Sequence, residues 1–205
     1  MSLSVTYAAS FANVTVDQYL SVWATGFKTA DHNASNTGGF NEGGTDGSQY
    51  AIRGTNGSNY AVIAQSDTQT GLHYVWDSAL PAGNNLNHYL YGELDTVTLG
   101  NNLLKDASGN YSVQSLAVSF DGLDLNAAQG AGRAGNDVHN VIYNLMQGKT
   151  GALETVLDNL LADYGVSTNS TFAQIDAALA AGPVHAAAAE AVGVQALPED
   201  LALAA

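Results

Sequence analysis

VHNVIYNLMQGKTGALETVLDNLLADYG, residues 138–165, reads as two consecutive amphipathic helices. Val138, Val141, Ile142, Leu145 and Met146 recur at the spacing of a single helical face, and Gly148 follows, a residue free to adopt the left-handed conformation that ends a helix. Leu153, Val156, Leu157, Leu160, Leu161 and Tyr164 repeat the pattern and stop at Gly165. A further stripe of Phe172, Ile175 and Leu179 ends at Gly182-Pro183, where proline cannot continue a helix. One helix comes earlier, where Thr15 and Gln18 have capping-box spacing and Val16, Leu20, Trp23 and Phe27 share a face.

The first 125 or so residues otherwise carry a period of two. Leu3, Val5 and Tyr7 alternate with polar neighbours, as do Leu116, Val118 and Phe120, the mark of half-buried strands. Strand-like runs at 49–53, 60–65, 72–76 and 88–99 are separated by Gly, Asn, Asp and Ser clusters that favour turns. Strands first and helices after predict an α+β fold, an antiparallel sheet of six or seven strands with about four helices on one face.

No apolar run approaches the ~20 residues of a membrane span, so membrane insertion is not expected. Nineteen acidic against five basic residues give a net charge of −14, which repels phosphate backbones and argues against nucleic acid. The absence of cysteine excludes disulfides, thiolate metal sites and iron–sulfur clusters. MSLSVTYAASFANVT lacks the basic and apolar regions of an N-terminal export signal. One domain is expected over 1–182, followed by an alanine-rich flexible tail over 183–205.

There is no nucleophile elbow, zinc-protease helix or phosphate loop. Five histidines remain, and any transition-metal site must combine them with carboxylates or tyrosines. His32 lies in a polar, glycine-rich stretch at 28–47 whose only bulky apolar residue is Phe40. Pattern alone leaves it open between a functional loop residue and an exposed histidine. Tyr74 ends a strand-like run, where an ordinary sheet tyrosine is the simpler reading, and alternation turns His73 to the opposite face. His88 follows the polar turn 77–87, and a hairpin there returns it toward Tyr74. His139, in the first turn of its helix, reads as solvated or capping, and His185 as incidental.

Taken in order, SVTY (4–7), VDQYLSVWATGF (16–27), SNTGGF (35–40) with DGSQYA (46–51), LHY (72–74), NHYLYGELDTVTLG (87–100), VHNVIYNLMQGKTGALE (138–154), NSTFAQI (169–175) and LPEDLALAA (197–205) resemble the secreted bacterial haemophores of the HasA type nearly end to end. The resemblance implies a curved antiparallel sheet backed by helices, with haem held between two loops. It implies ferric haem b ligated by His32 and Tyr74, with His88 hydrogen-bonded to the tyrosine. Tyr91, Tyr143 and Met146 match residues that cover the haem face, and Arg133 matches a contact to a propionate. A phenolate is a hard anionic donor that favours ferric iron, and a histidine beside it tunes its strength through a shared proton. LPEDLALAA is similar to the C-terminal signal that the family presents to an ABC-type exporter. The implied role is an extracellular carrier, not an enzyme, that takes haem, including from haemoglobin, and delivers it to an outer-membrane haemophore receptor.

This chain departs from the family in both ligand loops. SNTGGF begins three residues after His32, sooner than in the family, and the Tyr74-to-His88 segment is longer. Such remodelled loops keep a secreted protein-binding or adhesion module as the alternative. A haem-dependent oxidase fits less well, because iron with two axial ligands has no open position for substrate.

Overall fold

The computed structural model describes residues 3–27, 38–55 and 57–184. His32, His185 and all but the first two residues of the expected tail lie outside them.

Among the described residues the chain forms β1 (Ser4–Tyr7), α1 (Val16–Phe27), β2 (Gly39–Phe40), β3 (Asp46–Gly47), β4 (Gln49–Arg53), β5 (Tyr60–Gln65), β6 (Leu72–Val75), β7 (Tyr89–Leu94), β8 (Thr96–Lys105), β9 (Tyr111–Asp121) and β10 (Leu125–Ala127). The helices α2 (Asp137–Met146), α3 (Gly151–Leu161) and α4 (Phe172–Ala181) follow. The α+β class is the expected one. The strands divide, however, into a six-stranded sheet in the order β1-β9-β8-β5-β4-β2 and a four-stranded sheet in the order β10-β7-β6-β3. The run 88–99, expected as one strand, breaks at Asp95, whose N–H donates to the Gln65 carbonyl and whose carbonyl accepts from Leu123, both at 2.9 Å. Its halves belong to different sheets.

The helices form where their patterns predict. Thr15 and Gln18 exchange the two hydrogen bonds of a capping box at α1, as do Thr171 and Gln174 at α4. Gly148 and Gly165 have φ of 68° and 70°, the left-handed turn-off each stripe requires. Every residue of the α2 stripe is buried, and each such side chain contributes about 1.5–3 kcal/mol. α2 lies against β7 and β10, α1 against β5, α4 against β1, and α3 against α2. This places the first turn of α2 beside the hairpin of β6 and β7, where Tyr74 and His88 are found.

Candidate functional site

β6 and β7 pair antiparallel, with Tyr74 opposite Leu90 and His73 opposite Tyr91. Alternation sends the first pair to one face of the sheet and the second to the other. Tyr74 and Leu90 line a cavity of about 620 Å³, whereas Tyr91 stacks on His73 with ring centroids 4.7 Å apart. Tyr91, expected against the haem face, does not line this cavity, because its register with His73 turns it to the far side.

The loop 77–87 brings His88 back to Tyr74. Asn87, only 1% exposed, accepts from the Asp77 N–H at 2.8 Å and donates to the carbonyls of Asp77 and Leu80 at 3.0 and 2.9 Å. Its carbonyl oxygen also accepts from the His88 N–H at 3.0 Å. His88 adopts φ of 57°, uncommon for a residue with a side chain, and that turn aims its ring at the tyrosine. Tyr74 Oη and His88 Nδ1 are 2.6 Å apart, a strong hydrogen bond. Burial, followed by the neighbouring Tyr143, raises the Tyr74 phenol above its ordinary pKa. The free phenol therefore holds its proton, in hydrogen-bond contact with His88.

Beyond this pair the wall is largely aromatic and apolar. Tyr50, packed edge-on against Phe40, has its pKa pushed up to about 12, mainly by burial. Gly38 approaches the Tyr50 ring so closely that a β-carbon would meet its Cζ at 2.6 Å and the Ala51 carbonyl oxygen at 2.7 Å. The downstream end of the segment that carries His32, Gly38 to Phe40, thus borders the cavity.

α2 supplies Tyr143, Met146 and His139. His139 is buried at 4% exposure and not solvated, since the first turn of α2 lies under β7. Its Nδ1 accepts from the Leu90 N–H at 3.3 Å, and its ring stacks on Tyr143 at 5.2 Å. Burial, with a smaller contribution from Arg133, lowers its pKa to about 4, so it is neutral at physiological pH. The buried Asn136, a residue that the sequence did not single out, caps α2 by accepting from the His139 N–H at 2.9 Å. It also donates to the Leu90 carbonyl at 2.8 Å, fastening helix to hairpin.

Arg133 lines the cavity, and its guanidinium donates to the Asn84 carbonyl at 2.8 Å. Its backbone N–H is bound by the Asn85 side chain at 3.0 Å. A guanidinium has five N–H donors, so donors remain for an anionic ligand. Together these residues can hold a flat, mostly apolar ligand, offer a phenolic oxygen to a metal at its centre, and meet a carboxylate at its edge.

A family model described as Heme-binding protein A (HasA) matches residues 1–205. The chain is 41% identical over 191 residues to the hemophore HasA of Serratia marcescens, an alignment covering 91% of this chain and 96% of that protein. The apo structure of the hemophore HasA from Yersinia pestis superposes with a TM-score of 0.66 at 22% identity, over 84% of this chain and 92% of that one. Its holo structure superposes with a TM-score of 0.65 at 22% identity, over 84% and 94% of the two chains. These two structural matches show the shared fold, and with the family model matched from end to end, the chain belongs to the HasA heme-binding protein family.

Proposed function

We propose that this protein is an extracellular, non-enzymatic carrier of ferric haem b, with Tyr74 and His32 as axial ligands and His88 as the partner that holds the tyrosine's proton. The observation that carries the reading is the 2.6 Å Tyr74–His88 hydrogen bond at the wall of a cavity of about 620 Å³, within the range of small-molecule sites. When iron takes the phenolic oxygen, its proton passes to His88 and remains in the hydrogen bond. The iron then faces a phenolate, a ligand suited to the ferric state.

Tyr143 and Met146 cover the apolar macrocycle, and Arg133 meets a propionate in a chain otherwise poor in positive charge. His32 is six residues before Gly38, so a tether of at most about 20 Å joins it to the cavity's edge. Ligands on both faces would close the iron to substrates, which favours carriage over turnover. Capture from haemoglobin, delivery to an outer-membrane receptor and export through the terminal LPEDLALAA by an ABC-type exporter complete the proposal. Among the described residues no helix is long and apolar enough to cross a membrane.

Titration of the apo protein with ferric hemin, followed by visible absorption and EPR, tests the reading. The wild type should bind one haem with a six-coordinate spectrum, Tyr74→Ala should lose tight binding, and His32→Ala should change the coordination. No Soret shift with wild type, or equal binding by Tyr74→Ala, refutes it.

A further inference from the structure

At the open end of the β6–β7 hairpin, away from the 77–87 loop, three carboxylates converge where the two sheets meet. One oxygen from each of Asp67, Glu93 and Asp95 lies within 4.8 Å of the others. Glu93 and Asp95 are 4% and 5% exposed. They are two residues apart on a chain that leaves one sheet and enters the other, and Asp67 belongs to the turn between β5 and β6.

Buried carboxylates need compensation, because an unpaired charge removed from water costs several kcal/mol. Glu93 Oε2 accepts from Ser66 Oγ and from the Asp67 N–H, the latter at 3.2 Å. Asp95 Oδ2 accepts from Thr96 Oγ1 at 3.3 Å, and that hydroxyl is also 3.0 Å from Asp121, a fourth acid. Asp95 Oδ1 is buried with no hydrogen-bond partner. Among the described residues no lysine or arginine forms an ion pair with any of the three.

We propose that Asp67, Glu93 and Asp95 bind a hard divalent cation of the calcium class, with the unpartnered Asp95 oxygen as a direct ligand. The spacing fits: ligands on opposite sides of one ion at 2.3–2.6 Å are at most about 5 Å apart. All the donors are oxygens, the set that calcium prefers. The ion clamps the β5–β6 turn to the corner at Asp95, and the turn leads directly into the strand that carries Tyr74. Its role is to hold that strand in register, and it depends on no assumption about haem.

The test uses the full chain, treated with chelator and titrated with calcium chloride by calorimetry, with magnesium chloride in parallel and melts in both conditions. Wild type should bind one calcium per chain with a dissociation constant of about 10⁻³ M or tighter and melt at a higher temperature with the ion. Asp67→Asn, a change at an exposed residue, should weaken binding at least about tenfold, the loss of a charged direct ligand. Asp95→Asn should abolish binding and, in chelator, melt above wild type, because it removes a buried like charge. No saturable binding by wild type up to about 10 mM calcium, well beyond the weakest extracellular sites, overturns the proposal. So does unchanged affinity in Asp67→Asn.

Discussion

Two histidine–tyrosine pairs occupy opposite faces of one hairpin. Inside, His88 meets Tyr74 by a hydrogen bond, with the rings 6.1 Å apart and tilted by 50°. Outside, His73 lies flat on Tyr91, tilted by 20°, with its Nδ1 2.5 Å from Asp46 and its Nε2 2.5 Å from the Thr70 carbonyl oxygen. Both ring nitrogens of His73 are held by oxygens, one on β3 and one in the turn before β6. The inner histidine is placed to receive a proton from its tyrosine. The outer one ties β3 to β6 and meets Tyr91 only by ring stacking. The same residue types a few positions apart thus line a cavity on one face and tie strands together on the other, and strand register decides which.

Exchanging tyrosines breaks the symmetry most severely. Tyr74→Ala should lower ferric-haem affinity by at least about a thousandfold, some 4 kcal/mol, while Tyr91→Ala should leave it within about threefold, as read by competitive hemin titration. Comparable losses in the two variants would mean that the faces are not distinct.

Next in size is His88. His88→Gln should weaken haem binding by about 10- to 100-fold, the usual cost of losing a partner of a metal ligand. It should also change the pH response. In wild type the histidine is within hydrogen-bond distance of the proton that the phenol gives up, so the pH dependence of affinity should be shallower than in the variant. In the variant the proton leaves to solvent, and affinity should rise up to about tenfold for each pH unit.

A third ring sharpens the contrast between wet and dry histidines. His139 is neutral when folded, with its pKa lowered from 6.5 to about 4, so between those values the unfolded chain binds the extra proton. Its contribution is complete above pH 6.5 and declines as the pH falls toward 4. Thermal melts should show this decline in wild type and a shallower one in His139→Gln.

The smallest effect belongs to the outer pair. The hydrogen bond from His73 is the main cause of the lowered Asp46 pKa, and Asp46 is exposed. His73→Gln should cost no more than about 1 kcal/mol at neutral pH, and that difference should vanish as the pH falls through the folded pKa of Asp46.

Much of this was legible before the structure. The apolar stripes at Val138–Met146 and the Thr15–Gln18 cap are local signals, and local signals gave the right helices. The break at Asp95 does leave a faint trace, since the aliphatic face changes parity there, from Leu90 and Leu94 to Val97 and Leu99. It is imposed by backbone partners at Gln65 and Leu123, far away in the chain. His139 looked exposed because its helix was viewed alone, whereas its surroundings come from β7. Tyr91 could have been assigned by carrying the alternation across the hairpin, had its register been known. Asn87 and Asn136 carried no signal, since buried asparagines that organise loops have the same composition as turn residues on the surface.

The fastening of 77–87 by the Asn87 amide, reinforced from the other side by Arg133 on Asn84 and Asn85, has a calorimetric consequence. A loop already stitched at both ends has little left to freeze when cargo arrives. On this side of the pocket, the heat-capacity change of haem binding should match the apolar area of the macrocycle and its walls, with no added increment from coupled folding.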